Sequence, residues 1–270
     1  MRRRKIDAGA TAPLAEALAP TQVDSLQRGL EVLRLFDGRQ NALSISDMAT
    51  RLGLTRSTTA KLVGTLESFN FLRLDATGEA YEAHAACLAL GSAARQGLDV
   101  VHVATPHMRA LCERFGVHIS LTCRDRLHML VLEHLVPDEQ PTLGLQTGAR
   151  LPMAASASGR AYLWAQKPVF QAELIQLLKQ SGQESVYRFM PGVYAAFQEL
   201  EQNGWCFLAS PVTRQSNSIA TPIPSPTTVD HVLAAMSVGG VDEERRLRED
   251  IGPELLAAAA EIGRELESMA

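Results

Sequence analysis

The stretch from Leu43 to Arg73 constrains this chain more than any other, because it carries the boundary signals of two short helices joined by a tight turn. Ser44-Ile45-Ser46-Asp47 has the pattern of a capping box, in which a hydroxyl and a carboxylate satisfy each other's backbone donors. Leu43 and Met48 are spaced for a hydrophobic staple across that cap. Ile45, Met48, Ala49 and Leu52 then recur at helical spacing, and Gly53 supplies a stop, since glycine adopts a left-handed conformation cheaply. Leu54 fills the turn. Thr55 caps a second helix running from Arg56 to about Ser68, whose core face is Thr59, Leu62, Val63 and Leu66. The opposite face carries Arg56, Ser57, Ala60, Lys61 and Gly64, which are cations, a hydroxyl and two very small residues. On an isolated helix this would be an ordinary solvated face. Behind a capped helix and a short turn it suits a major groove: cations reach phosphates or guanine edges, and small residues permit close approach.

The segment after the second helix fits a wing. Two alternating segments, 69–74 and 79–82, flank Asp75-Ala76-Thr77-Gly78, which is turn chemistry, so a hairpin is predicted with Thr77 at its tip as a further DNA contact. A first helix precedes the motif. Asp24 and Gln27 are spaced as a capping pair, and Leu26, Leu30, Val32 and Leu33 supply an apolar stripe ending near Phe36.

The net charge of −4 is unusual for a DNA-binding chain until it is divided. Residues 1–83 hold 11 Lys/Arg against 10 Asp/Glu, and residues 84–270 hold 15 against 20, so the acidity belongs to the second part. The first part is only weakly basic, which makes affinity depend on local placement of cations and on several copies of the domain. Residues 1–22, with Arg2-Arg3-Arg4-Lys5 and many Ala and Pro, are predicted to be a disordered basic tail. The four cysteines show neither CxxC nor zinc-ligand spacing and read as free thiols of a reducing cytosol. No apolar run approaches membrane-span length, and the basic start is not followed by an apolar signal core, so a cytoplasmic protein without a membrane partner is expected.

Residues 84–98 are Ala/Leu-rich and read as a linker helix, followed by a helix over 98–115 interrupted or begun at Pro106. The period then changes to two. Strands are predicted over 117–122, 127–134, 142–145, 205–209, 218–223 and 232–238, and helices over 155–165, 169–179 and 191–202. A long closing helix covers 242–269, with Gly252-Pro253 marking a break. This is an α+β arrangement, a mixed sheet flanked by helices. No nucleophile elbow, P-loop, dinucleotide fingerprint or metal motif appears, so no cofactor and no catalytic or metal residue is assigned. His128 and His134 share a strand parity and His118 could neighbour them, which leaves open a metal site or ordinary structural histidines. Ser156-Ala157-Ser158-Gly159 opens a helix, either as a simple N-cap or as an anion site.

In sequence the chain resembles the IclR family of bacterial transcriptional regulators from Val23 onward. The resemblance rests on Val23-Asp24-Ser25-Leu26-Gln27-Arg28-Gly29-Leu30, on Leu52-Gly53-Leu54-Thr55-Arg56-Ser57-Thr58, and on Gly148-Ala149-Arg150-Leu151-Pro152-Met153 leading to Ala157-Ser158-Gly159-Arg160-Ala161. Ile219-Ala220-Thr221-Pro222-Ile223 and Ala234-Ala235-Met236-Ser237-Val238 continue it. It implies a winged helix-turn-helix over 23–83, a linker helix over 84–98 and a GAF-like effector domain over 99–270. It also implies homodimers through the DNA-binding half, often paired into homotetramers, that bind double-stranded operator DNA under control of a small organic acid. The family's effector contacts correspond here to Ala157, Ser158, Leu208, Ser218 and Ser237. Several positions depart from the family pattern. Leu208 stands where an acid is common, Ser218 where a cysteine is often found, and Ala154 where a histidine precedes the helix; Gln215 replaces a glycine. These departures imply a more apolar pocket, suited to an aromatic or branched acid.

Two other readings compete with a ligand-responsive regulator. An enzyme acting on a small carboxylate would need a base or nucleophile in the pocket, where only hydroxyls are found. A winged helix used for protein contact would need more apolar bulk than Arg56, Ala60, Lys61 and Gly64 provide.

Overall fold

The computed structural model describes residues 23–36, 42–138, 145–181, 184–209, 216–239 and 241–269. The basic tail over 1–22 and the strand predicted at 142–145, apart from Leu145, lie outside the described residues. The chain divides into two units between Ala89 and Leu90.

The first unit is built from α1 (Asp24–Arg34), β1 (Ala42–Leu43), α2 (Ile45–Leu52), α3 (Arg56–Ser68), β2 (Leu72–Leu74) and β3 (Tyr81–Ala83). The local signals act as their chemistry requires. The Ser44 hydroxyl accepts from Asp47 N–H at 3.1 Å, and the Ser44 N–H donates to the Asp47 carboxylate. That bonding holds the Asp47 carboxyl below the ordinary carboxylate range. Gly53 closes α2 at φ 64°, and Thr55 accepts from Thr58 N–H at 3.2 Å to open α3. Leu43 and Met48 are fully buried with Val32, Val63 and Leu72.

Two expectations fail here. Val23, not Asp24, occupies the N-cap of α1, and no side chain caps it, so Asp24 and Gln27 are not a capping pair. Asp24 lies instead in the first turn, where its carboxylate favours the positive end of the helix dipole. The apolar stripe also splits: Val32 and Leu33 face the core, whereas Leu26 and Leu30 lie on an exposed face with Val23. Residues 26, 30 and 33 fall within one helical stripe, but the core of so small a unit is narrower than that stripe. A third strand, the two-residue β1, joins the hairpin in the order β1-β3-β2.

α4 (Ala85–Gln96) has no buried residue. The second unit continues with α5 (Asp99–Phe115), β4 (His118–Asp125), β5 (His128–Leu135), β6 (Arg150–Pro152), α6 (Ala157–Trp164), α7 (Pro168–Gln180), α8 (Glu184–Asn203), β7 (Cys206–Ala209), β8 (Ser216–Pro222) and β9 (His231–Val238). It closes with α9 (Val241–Arg246), a π-helical segment Leu247–Ile251 and α10 (Gly252–Met269). α5 runs through Pro106, so that residue neither begins nor ends it. Likewise α8 starts well before Pro191, which lies inside the helix. The π segment places the break in the closing stretch just before Gly252.

The six strands follow the order β6-β5-β4-β9-β8-β7, and each of the five pairings among the described residues is antiparallel. The expectation of a mixed sheet is corrected in this respect, although the α+β class stands. Periodicity does not encode strand direction, and the helices that connect strands here return the chain without a parallel crossover. One face of the sheet, with Ile119, Leu121, Ile219, Leu233 and Ala235, forms the main core with Val101, Met108, Leu255 and Ile262 of α5 and α10. Alternation along the strands turns the intervening residues toward α6. In agreement, the Cys206 thiol donates to the Ala157 carbonyl at 3.6 Å.

Candidate functional site

The exposed face of α3 is formed by Arg56, Ser57, Ala60, Lys61 and Gly64, while Thr59 and Val63 are buried beneath it. Neither Arg56 nor Lys61 is held in an ion pair among the described residues. The Ser57 hydroxyl meets the capping Thr55 hydroxyl at 3.2 Å. Gly64 is informative for its surroundings: a Cβ built there would meet nothing within 4 Å. Packing inside the unit therefore does not require glycine, and mid-helix glycine destabilises by roughly 0.5–1 kcal/mol relative to alanine. Thr65 extends the same face and carries no signal in the sequence pattern; its hydroxyl donates to the Lys61 carbonyl. In the wing, the Thr77 hydroxyl donates to the Asp75 carboxylate at 2.8 Å and accepts from Glu79 N–H. The hydroxyl is thus engaged within the turn. The Arg73 guanidinium pairs across the hairpin with Glu82 at 3.0 Å.

In the second unit the opening of α6 is the organising feature. Ser156 caps it, accepting from Gly159 N–H at 3.1 Å and donating to the Pro152 carbonyl at 2.9 Å. Ala157 and Ser158 are buried residues of the first turn, whose amides have no intrahelical acceptor. Gly159 is required here because a Cβ would lie 2.1 Å from the Met153 carbonyl oxygen. The buried Arg160 sends its Nε to the Ala154 carbonyl at 3.1 Å and lies where a side chain at Gly192 would otherwise project. At the far end Gln166 donates to the Val229 carbonyl, ahead of β9. The helix thus runs from the Cys206 level of the sheet toward the start of β9, and its N-terminus points the other way, along β9 toward Met236.

On that side the registers assemble one cross-strand row. Leu208 pairs with Ser218, Ser218 with Met236, and Met236 with His118. His134, opposite Ser120, lies on the same face, and its Nε2 is 3.3 Å from His118 Nδ1, with the rings stacked 5.4 Å apart. Burial lowers the His134 pKa to about 4, with the neighbouring His118 adding to the effect. The Ser218 hydroxyl donates to the Leu208 carbonyl at 3.3 Å.

The row brings together Leu208 and Ser218 beyond the Ala157–Ser158 amides, but it excludes Ser237. That residue pairs with Asn217 and therefore points to the opposite face, where its hydroxyl is buried without a hydrogen-bond partner among the described residues. The expected joint use of Ser218 and Ser237 is corrected on this ground: register parity places Met236, not Ser237, beside Ser218. The histidines also rearrange. Leu121 pairs with Glu133 and Thr122 with Val131, so Leu132 is an extra residue in β5 that reverses its alternation. His128 and His134 consequently face opposite sides, and among the described residues no cluster of three metal-ligating side chains forms. Burial pushes the Cys206 thiol up to about 12 and Cys123 up to about 11, so neither is a thiolate at neutral pH.

A capped helix-turn-helix with a wing, in one chain with a helix-covered antiparallel sheet, defines a winged-helix transcription factor that carries a second, α+β domain. Residues 25–76 match the IclR helix-turn-helix domain, and residues 92–267 match the bacterial transcriptional regulator IclR C-terminal family. The chain belongs to the IclR family of bacterial transcriptional regulators. It is 28% identical over 251 residues to the HTH-type transcriptional regulator TsaQ1/TsaQ2 of Comamonas testosteroni, covering 91% of this chain and 89% of that one. Among solved structures it is similar to an IclR family transcriptional regulator from Brucella abortus, with TM-score 0.81, 28% identity and 96% and 97% of the two chains covered. It also shares its fold with an IclR homologue from Microbacterium hydrocarbonoxydans complexed with 4-hydroxybenzoate, with TM-score 0.69 and 22% identity, covering 90% of this chain and 99% of that one.

Proposed function

We propose that this regulator reads operator DNA through the exposed face of α3 and releases or engages it in response to a small aromatic or branched organic acid. Arg56, Ser57, Ala60, Lys61 and Gly64 form the reading face, with Thr77 of the wing at an adjacent phosphate. The observation that carries the reading is Gly64: a helix interior keeps a destabilising glycine on its surface, with no neighbour inside the unit to demand it. Close approach of a duplex supplies the reason. The effector's carboxylate is assigned to the Ala157 and Ser158 amides, with the Ser218 hydroxyl turning to it from the Leu208 carbonyl and with Leu208 and Met236 as apolar floor. The 4-hydroxybenzoate held by the Microbacterium homologue supports an acid of this class. Exposed Val23, Leu26 and Leu30 on α1 support homodimers through the DNA-binding half, paired into tetramers, acting on pseudo-palindromic half-sites.

Footprinting on the chain's own upstream region tests the DNA reading. Gly64→Leu is expected to keep or raise stability while abolishing the footprint, and Arg56→Ala with Lys61→Ala to weaken operator binding by about 1–3 kcal/mol per base-reading residue. A wild-type footprint from both variants would overturn it. Calorimetry with glyoxylate, pyruvate and benzoate tests the effector; binding of glyoxylate alone would replace the aromatic-acid assignment.

A further inference from the structure

The helix α4 runs unbroken from Ala85 to Gln96, while the two units part between Ala89 and Leu90. None of its residues is buried. At its start the Ala86 N–H donates to the Asn70 carbonyl at 3.2 Å and the Cys87 thiol to the Phe71 carbonyl at 3.3 Å, both inside the first unit. At its end the Arg95 guanidinium pairs with the Glu133 carboxylate of β5, inside the second unit. Beside that pair a cleft of about 400 Å³ opens between α4 and α5, lined by Ser92, Gln96, Val101, His102 and Thr105, so the helices do not pack closely there. The carboxylate owes its position to the bulge in β5. Val131 pairs with Thr122 on the α6 side of the sheet, and strict alternation would return Glu133 to that side. The extra residue Leu132 turns Glu133 to the opposite face instead, level with the fully buried Leu121. There its side chain is only 10% exposed, against 55% for Arg95. It also accepts from the backbone N–H of His134 at 3.3 Å. A buried carboxylate is costly without a cation, and Arg95 is the ion-pair partner it has among the described residues. A bulge and a buried charge are thus both devoted to meeting one residue of the linker helix.

From this geometry we propose that the Arg95–Glu133 pair fixes the linker helix to the sheet of the second unit and is thereby a positioning pair for operator binding. The proposal rests on the reading that the first unit binds operator DNA, and is independent of which acid is the effector. A helix with no buried surface takes its direction from what holds its ends. With the pair closed, the last turn of α4 is tied to β5. With it open, that turn is joined to α5 only through the chain at Gly97 and Leu98. The winged unit carried on α4 then loses preorganisation, and that ordering must be supplied when DNA binds. A pseudo-palindromic operator engages two such units, so it demands the ordering twice.

The test replaces the whole pair in the full-length protein. Arg95→Met with Glu133→Leu removes both charges and leaves apolar side chains of similar size, an exchange that folded cores tolerate well. Methionine matches arginine in helix propensity, so α4 itself is not weakened. Tryptophan fluorescence melting should be unchanged or raised, which separates positioning from a merely structural role. Amide exchange over residues 90–96 should nevertheless become about tenfold or more faster. Ligand-free binding to the chain's own upstream region should weaken about fivefold or more. Arg95→Lys keeps the cation and should hold both readouts within about threefold of wild type. Unchanged exchange over 90–96 in the double variant overturns the proposal, and so does faster exchange with wild-type operator affinity. If the double variant does not fold, Glu133→Gln, which keeps the shape and removes the charge, decides by the same two readouts. A wild type that leaves its upstream region unprotected removes the DNA reading and this proposal with it, whereas normal wild-type binding with unaltered variants sinks only this inference.

Discussion

The two units place their polar chemistry in opposite places. In the first, a core of five fully or nearly fully buried side chains supports short helices, and the groups assigned to function are on the outside of α3. In the second, a far larger core lies on one face of the sheet, and the polar groups of interest are on the other face, largely buried beneath α6. The contrast teaches what each kind of site requires. A surface that meets a duplex needs only a rigid helix with small residues and available cations. A pocket for a small acid needs desolvated donors, and these must be positioned by strand register and by a helix end.

The most forceful way to break this comparison is to damage one core and watch the other. Met48→Ala empties the centre of the first unit and should cost it about 2–5 kcal/mol. Trp164 and Trp205, the two tryptophans of the chain, both lie in the second unit and should report an unshifted unfolding transition. Amide exchange over residues 42–83 should accelerate. A shift of the tryptophan transition would show that the units are not energetically separate. Gly159→Ala inverts the experiment. Its methyl would collide with the Met153 carbonyl, so the opening of α6 must move, at about 3 kcal/mol or more to the second unit. Effector binding should fall with it, and operator binding without ligand should persist.

A pH sweep sharpens the contrast further. His134 has its pKa lowered to about 4 against an ordinary value of 6.5, so the unfolded chain binds the proton more readily in between. Its contribution is complete above pH 6.5 and is lost progressively as the pH falls toward 4. Asp47 and Asp75 in the first unit are held below 3.8 by Ser44 and Thr77, and their contributions persist until the pH falls below that value. On acidification the tryptophan signal should therefore weaken before exchange in residues 42–83 changes. His134→Phe should reduce the early loss, leaving the part due to His231, whose pKa burial also lowers; an unchanged acid limb would show that His134 does not contribute to it. The smallest effect is Ser44→Ala, which removes one N-cap and should cost the first unit about 1 kcal/mol, read as faster exchange at the start of α2.

The first unit was legible in the sequence because its signals are local. Ser44, Gly53 and Thr55 act on backbone groups within four residues of themselves, so spacing along the chain is spacing in space. Where legibility failed even there, the failure was tertiary: nothing in the repeat of Leu26, Leu30 and Leu33 says how wide a stripe the core will cover. In the second unit the existence of strands and helices was readable from periodicity, as was the capped opening of α6 at Ser156. The pairing was not. Ser218 and Ser237 look equivalent as hydroxyls on neighbouring strands, and only the register Ser218–Met236 separates them onto two faces.

Acting by itself, the sequence determined most of the longer elements, the caps at Ser44, Gly53, Thr55 and Ser156, and the outward face of α3, all of which depend on interactions a few residues apart. Tertiary structure decided the antiparallel order of the sheet, the reversal of alternation at Leu132 and the meeting of His118 with His134. The physical reason is that a strand's side chains alternate with period two. A single inserted residue or a one-residue slip in pairing moves every later side chain to the other face, and that choice is made by long-range hydrogen bonding and core packing rather than by any residue's neighbours in the chain.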